Sequence, residues 1–243
     1  MHVTHRLIFV CEANVCRSPL MEGALRASSH ADGWEISSAG TRVGTGALEM
    51  CTVSASLVAA AGGTEAAALT KTHRPAGIDA EDLRAADLIL TASRAERSAV
   101  AALVPEVRSR TFTLREAAYL GKEPVQPHEF ERMAEFASSA VEARGLQLYA
   151  EVLHARRGFI ALPLARRSLW GKRRRNPYDI PDAHHGSARA HHAMLASTVA
   201  DVEQLHRQAV EFLDAPTTPS PQPVPVPDKK KHKKQKKQKT PTV

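Results

Sequence analysis

Cysteine, aromatic residues and long apolar runs are all scarce in this sequence of 243 residues. Three cysteines are too few for a disulfide framework, which favours a reducing compartment, the cytoplasm. The apolar run GFIALPLA is too short to span a bilayer, and the opening residues MHVTHR do not resemble a signal peptide. We therefore expect a cytoplasmic protein without a transmembrane segment, built as one good-sized α/β domain with extensions or as two small domains.

Excess charge is absent from most of the chain. The formal net charge is +7, but residues 228–243 hold eight lysines and one aspartate, which account for all of it. A Pro-rich stretch precedes them, so residues 214–243 are predicted to be a disordered linker and tail. The neutral body argues against a nucleic-acid-binding fold. The tail is either a solubilising extension or a salt-sensitive binder of a polyanion: nucleic acid, polyphosphate or anionic lipid.

Short apolar segments alternate with Ala-rich segments of helical spacing along the chain. The predicted strands are RLIFV, WEISSAG, ADLILTAS and RTFTL. The predicted helices are 19–29, 53–61, 94–103, 115–120, a region within 130–157, and 188–213. Such alternation is typical of βαβ units and predicts an α/β fold with a parallel sheet.

The stretch CEANVCRSP, between the first strand and the first helix, carries the chemistry. Cys11 follows the strand, and Pro19 suits the first turn of the helix because its missing N–H needs no partner there. A loop of this length that leads into a helix N-terminus can turn its backbone N–H groups towards one anion. Arg17 adds a planar donor that can hold two phosphate oxygens. The same positive field favours the thiolate of Cys11, placed for attack on a bound phosphate.

The sequence resembles the low-molecular-weight protein tyrosine phosphatases in FVCEANVCRSPLME, SSAGT, ADLILTASRAERSAV, RTFTLREAA and DIPDAHHG. The resemblance implies a four-stranded parallel sheet flanked by helices, with a phosphatase domain over residues 1–213 and an insertion over about 121–175. It also implies Cys11 as nucleophile and Arg17 as phosphate clamp, without a metal. The expected phosphate-binding residues are Glu12, Ala13, Asn14, Val15, Cys16, Arg17 and Ser18. Asn14, Ser38 and His73 are expected to support the loop, and the Ser18 hydroxyl to donate to the sulfur.

A carboxylic acid is also expected, to protonate the leaving oxygen and then to accept a proton from water. By the family pattern we select Asp182 for this role and interpret Asp179 as a surface or capping residue. A second alignment places Asn176 at the family's aspartate and leaves no acid. That alignment leaves the DIPD stretch unexplained.

Departures from the family pattern bear on the substrate. Ala13 replaces the usual glycine, which is tolerable unless that position needs a positive φ. His184 and His185 stand where tyrosines usually line the pocket mouth. Val15 lies where tyrosine-directed relatives have a bulky apolar residue and phosphoarginine-directed relatives a threonine. We therefore expect a phosphotyrosine phosphatase. The alternatives are a phosphoarginine phosphatase, an arsenate reductase, and a non-catalytic phosphate-binding or scaffold protein.

The remaining cysteines and histidines have less definite roles. Cys16 could form a reversible disulfide with Cys11 or could simply pack in the loop. Cys51 is interpreted as a buried thiol. Adjacent histidines on a helix diverge by about 100°. No metal-ligand set therefore follows from the spacing of Asp182, His184, His185, His191 and His192, and no metal or other cofactor is expected.

Overall fold

The computed structural model describes residues 4–28, 33–45, 49–126, 128–129, 143–160, 176–184 and 186–215. Of the predicted linker and tail, residues 214–243, all but the first two residues lie outside the described ranges. Within the described ranges, no helix is long and apolar enough to cross a bilayer.

The central element is a four-stranded, entirely parallel sheet. Its strands are β1 (His5–Cys11), β2 (Trp34–Gly40), β3 (Leu88–Thr91) and β4 (Thr111–Thr113). Their spatial order is β2-β1-β3-β4, and β1 pairs with β2 over its whole length. The predicted fold class, a parallel sheet flanked by helices, is confirmed. Because β1 is an inner strand, its carboxyl end at Cys11 opens onto the crevice where ligands bind in such sheets.

Helices follow the strands and cover both faces of the sheet. They are α1 (Arg17–Arg26), α2 (Thr52–Ala61), α3 (Thr64–Thr72), α4 (Ala80–Ala85), α5 (Arg94–Leu103), α6 (Leu114–Leu120), α7 (Gly145–Arg156) and α8 (Ala188–Asp214), with a 3-10 helix at Pro105–Arg110. Helix α1 begins at Arg17, ahead of the predicted start at Pro19. The sequence pattern did not predict α3 and α4, which bury only Ala66 and Leu83 respectively and so carry no apolar stripe.

Alternate residues of β1 enter two separate hydrophobic cores. Leu7 and Phe9 pack into the larger core, which α1, α6, α7 and α8 complete. Ile8 and Val10 face the other way, into a smaller core that α4 and α5 cover. A strand that is buried on both faces reads as a continuous apolar run, which explains LIFV in the sequence.

Helix α7 lies within the predicted insertion, residues 121–175, and it contributes to the main core. Its residues Leu146, Tyr149 and Leu153 are buried there. The predicted helical region 130–157 therefore contains a helix in its described part, and residues 130–142 lie outside the described residues. Arg156 holds the start of the insertion, because its guanidinium donates to the carbonyls of Leu120 and Glu123, both at 2.7 Å.

Candidate active site

The loop from Cys11 to Arg17 connects the end of β1 to the start of α1. Cys11 is the last residue of β1 and is buried, and Arg17 is the first residue of α1 and is only 5% exposed. The loop thus crosses the carboxyl edge of the sheet at the N-terminus of a ten-residue helix. The unpaired N–H groups and the dipole of that helix end favour an anion.

Most carbonyl groups of this loop accept hydrogen bonds from outside it. The donors come from the segment after β2, from the start of α2, and from His73. The bonds are Thr41 N to Cys11 O (2.9 Å), Arg42 N to Glu12 O (2.7 Å), His73 Nε2 to Asn14 O (2.8 Å), Cys51 N to Val15 O (2.8 Å) and Ser54 Oγ to Cys16 O (2.9 Å). Carbonyls held outward in this way are what an anion-binding nest requires, since its N–H groups must face the anion. The Asn14 N–H does point to Cys11 Sγ.

Asn14 occupies the centre of this loop. It is fully buried, and it has a left-handed backbone conformation with φ of 54°. Its Nδ2 donates to Ser18 Oγ and to Ser38 Oγ, both at 2.9 Å, and its Oδ1 accepts from the Ala76 N–H at 2.9 Å. Asparagine tolerates this conformation better than most residues. The positive φ falls here and not at Ala13, so alanine at position 13 meets no backbone strain of that kind.

Two donors converge on the sulfur of Cys11. The Ser18 hydroxyl lies 3.1 Å from Sγ and the Asn14 N–H lies 3.3 Å from it. Hydrogen bonds to a sulfur stabilise negative charge on it, whether in an attacking thiolate or in a departing one. The Ser18 hydroxyl thus makes the contact with the sulfur that its place after Arg17 in the sequence suggested.

Gly40, the last residue of β2, allows the sheet to approach this loop closely. A Cβ at this position would lie 2.8 Å from the Glu12 carbonyl oxygen and 2.9 Å from the Asn14 nitrogen. Both are backbone atoms, which cannot rotate away. The glycine of the SSAGT motif therefore has a steric role beside the phosphate loop.

Arg17 is held from two sides. Its guanidinium donates to the Ile180 carbonyl at 3.3 Å and lies 3.6 Å from Glu96. The side chains of Arg17 and Glu96 are each 6% exposed, so this is a buried ion pair. The Ser93 hydroxyl is also hydrogen-bonded to Glu96. Sequence reasoning missed Glu96, because no local motif links α5 to a loop so distant in the sequence.

The two candidate acids occupy different environments. Asp182 lies 3.4 Å from Arg17, its side chain is 47% exposed, and it accepts the His184 N–H at 3.0 Å. Asp179 instead accepts the Arg94 N–H at 3.0 Å and pairs with the Arg94 guanidinium. Its contacts are those expected of a helix-capping residue. Asn176 accepts the Tyr178 N–H in a local turn.

The two other cysteines and two histidines meet next to the phosphate loop. Cys16 Sγ is 3.0 Å from His191 Nε2 and 3.9 Å from His184 Nδ1, and Cys51 Sγ is 4.0 Å from His191 Nε2. Burial, together with a hydrogen bond to Cys51, raises the pKa of Cys16 to about 12, so this thiol is neutral. Sequence spacing alone indicated no ligand set from His184 and His191 and did not connect them with the two cysteines. His185 lies outside the described residues.

Comparisons with known proteins agree with this geometry. The family model of the low molecular weight phosphotyrosine protein phosphatases matches residues 6–126. A protein-arginine-phosphatase from Geobacillus stearothermophilus is 32% identical over 112 residues, which cover 46% of this chain and 70% of the relative.

Solved structures show the same fold at low sequence identity. The YwlE arginine phosphatase from Geobacillus stearothermophilus has a TM-score of 0.53 at 18% identity, covering 88% of this chain and 99% of its own. A low molecular weight protein tyrosine phosphatase from Bacillus subtilis has a TM-score of 0.51 at 16% identity. The match covers 85% of this chain and 97% of the Bacillus subtilis chain.

Proposed function

Because this chain belongs to the low molecular weight phosphotyrosine protein phosphatase family, we propose that it hydrolyses protein phosphotyrosine through a cysteinyl-phosphate intermediate, without a metal at the phosphate. The observation that carries the proposal is the convergence of Ser18 and the Asn14 N–H on Cys11 Sγ, beneath a loop whose carbonyls are held outward. A buried thiol that merely packs would not need two hydrogen-bond donors.

The first step forms the phosphoenzyme. Cys11 Sγ attacks the phosphorus in line, the ester P–O bond breaks, and Asp182 gives its proton to the departing oxygen. The loop N–H groups and Arg17 stabilise the charge on the phosphate oxygens during the transfer. The position of Asp182 supports this role, because the carboxyl lies 3.4 Å from Arg17, the proposed phosphate clamp, and remains accessible to a substrate.

The second step releases phosphate. The Asp182 carboxylate takes a proton from a water molecule, whose oxygen attacks the phosphorus, and the S–P bond breaks. The electron pair returns to Cys11 Sγ, where the Ser18 hydroxyl stabilises the departing thiolate. Asp182 is thereby protonated again and the enzyme is ready for another cycle.

The preference for phosphotyrosine rests on Val15, a partly buried apolar residue in the loop. The second candidate substrate is protein phosphoarginine, favoured by the 32% identical relative whose name gives that activity. The same residues would then break a P–N bond in place of a P–O bond. The reaction needs Cys11 reduced, as a cytoplasmic location would keep it, and the three cysteines are free thiols in the structure.

Two peptides of one sequence, carrying either phosphotyrosine or phosphoarginine, test the substrate, with p-nitrophenyl phosphate as a third. We expect a higher kcat/KM on the phosphotyrosine peptide, and no turnover of any substrate by Cys11→Ser. A higher kcat/KM on the phosphoarginine peptide would instead identify phosphoarginine as the substrate. A wild type no faster than Cys11→Ser on all three would leave a phosphate-binding protein.

The assignment of the acid is tested by the leaving group. Asp182→Asn should slow hydrolysis of the phosphotyrosine peptide by about 10²–10⁴-fold, the usual contribution of a general acid. The loss on p-nitrophenyl phosphate should be smaller, because p-nitrophenolate departs more easily without a proton. Asp179→Asn is the control, and it should not change the ratio of the hydrolysis rates on the phosphotyrosine peptide and on p-nitrophenyl phosphate. Equal losses on both substrates for Asp182→Asn would exclude Asp182 as the acid.

A further inference from the structure

Four potential metal ligands meet at the end of the phosphate loop, around Cys16. They are Cys16, Cys51, His184 and His191, and their ligand atoms all lie within 4.8 Å of one another. Cys51 and His191 are buried, while Cys16 is partly exposed and His184 exposed. Two sulfur and two imidazole ligands form one of the usual donor sets of a structural zinc site.

The distances approach those of a tetrahedral zinc site. Zinc–sulfur bonds of about 2.3 Å and zinc–nitrogen bonds of about 2.0–2.1 Å put tetrahedral ligand atoms about 3.3–3.8 Å apart. Cys16 Sγ lies 3.0 Å from His191 Nε2 and 3.9 Å from His184 Nδ1. Cys51 Sγ lies 4.0 Å from His191 Nε2. Closure of the site needs displacements of about 1 Å, which the exposed side chain of His184 can supply.

The helix ends beside the two sulfurs favour the thiolates that zinc requires, although burial keeps the Cys16 thiol protonated in the metal-free protein. Cys16 is the N-cap residue of α1 and Cys51 is the N-cap residue of α2, so each sulfur lies near the positive end of a helix. Ser54 Oγ donates to the Cys16 carbonyl at 2.9 Å and lies 3.7 Å from Cys16 Sγ. A hydrogen bond to the residue that carries a ligand helps to fix the orientation of that ligand. The grouping therefore has supporting contacts as well as donors.

We propose that Cys16, Cys51, His184 and His191 bind one zinc ion as a structural site. Both thiols lose their protons to solvent when zinc binds, two Zn–S and two Zn–N bonds form, and no oxidation is involved. Four protein ligands leave no open position for substrate, so the ion takes no part in phosphate chemistry.

The site joins the catalytic elements to one another. Cys16 directly precedes Arg17, and His184 lies two residues after Asp182, whose carboxylate accepts the His184 N–H. Zinc thus ties the segment that carries Asp182 to the phosphate loop. Cys51 and His191 anchor the same ion to the starts of α2 and α8. The ion holds together parts of the chain that are far apart in sequence, and its binding stabilises the folded state.

Titration of the reduced, metal-free, full-length protein with Co²⁺ and then Zn²⁺ tests this proposal. Tetrahedral Co²⁺ bound to thiolate gives an intense sulfur-to-metal charge-transfer band, which zinc should displace at one equivalent per chain. Zinc should also raise the Tm of the wild type. Cys51→Ser and His191→Asn should lose the band and the rise in Tm, and His184→Asn should weaken binding by at least about 10-fold.

Two controls locate the ion. His192→Asn alters an exposed histidine next to His191 and should leave binding unchanged. Cys11→Ser should also bind zinc normally, so the result does not depend on the proposed phosphatase activity. His184→Asn changes an exposed side chain and keeps the test valid if the buried variants do not fold. The proposal fails if the wild type gives no thiolate band, if the band and its affinity persist unchanged in these ligand variants, or if Cys11→Ser abolishes it.

Discussion

Asn14 allows a quantitative test, because its side chain and its backbone contribute separately. It is fully buried, and its amide makes hydrogen bonds to Ser18, Ser38 and the Ala76 N–H. Each such bond contributes about 1 kcal/mol, so the loss of all three in Asn14→Gly should lower the free energy of unfolding by about 3 kcal/mol. The greater chain entropy of glycine adds about 0.5–1 kcal/mol to this loss. The glycine itself meets no steric penalty at φ of 54°.

Asn14→Ala loses the same hydrogen bonds and also places an alanine in a left-handed backbone conformation. A left-handed conformation costs an alanine about 1–2 kcal/mol. Glycine avoids that cost but loses about 0.5–1 kcal/mol more chain entropy on folding. The alanine variant should therefore be less stable than the glycine variant by about 1 kcal/mol. If this backbone shapes the loop, the alanine variant should also have the lower kcat/KM on p-nitrophenyl phosphate.

Urea unfolding of the wild type and the two variants measures these differences, with activity followed on the same samples. The side-chain argument is refuted if Asn14→Gly is as stable as the wild type. The backbone argument is refuted if Asn14→Ala is as stable as Asn14→Gly. That result would mean that the backbone at position 14 can leave the left-handed conformation without cost.

Further predictions concern the sulfur, the sheet edge and a buried acid. Ser18→Ala should lower kcat about 10–100-fold, the equivalent of one hydrogen bond to a charged group. It should also give a burst of p-nitrophenol, because the second step slows. Ser38→Ala, which removes a hydroxyl that does not contact the sulfur, should give no burst. Gly40→Ala should destabilise the protein by about 1–3 kcal/mol and reduce kcat/KM, whereas Gly77→Ala, where a Cβ meets nothing within 4 Å, should do neither. Equal effects of the two glycine substitutions would contradict the steric argument. Burial acts to raise the pKa of Glu116, but arginine side chains outweigh it and hold that pKa below 4.5. The stability gained from this ionised carboxylate is present above pH 4.5 and is lost as the pH falls through the lower folded-state pKa. Glu116→Gln should therefore lower the free energy of unfolding by about 3 kcal/mol at neutral pH. Its free energy of unfolding should then fall less than that of the wild type as the pH is lowered. Urea unfolding measures both, and an equal fall in the two proteins would refute this.

Local sequence patterns were sufficient to predict the sheet and the phosphate loop. The apolar run before Cys11 predicts a strand buried on both faces, and Pro19 predicts the helix that follows. These signals are carried by neighbouring residues, so no knowledge of the remaining chain is needed. The helix Arg94–Leu103 was likewise predicted with its observed bounds, since its apolar residues recur with helical spacing.

The resemblance to a family identified residues that periodicity does not distinguish. Asp179 and Asp182 are two carboxylates in one short loop, and local propensity does not separate them. In the structure one pairs with Arg94 and the other lies beside Arg17. Their catalytic assignment remains a prediction for the leaving-group experiment.

The sequence by itself determined where the strands and most of the helices form, because periodicity, capping and turn signals act between neighbours; α3 and α4, which carry no apolar stripe, are the exceptions. It also determined which residues can carry phosphate chemistry. Only the tertiary structure decided which distant side chains meet. It brought Glu96 to Arg17, and it grouped the four potential zinc ligands next to the phosphate loop. Such contacts depend on how helices pack across a sheet, and each pairs residues whose separation in sequence follows no fixed period. Burial then makes them specific, because a polar group removed from water must find its partner inside the fold.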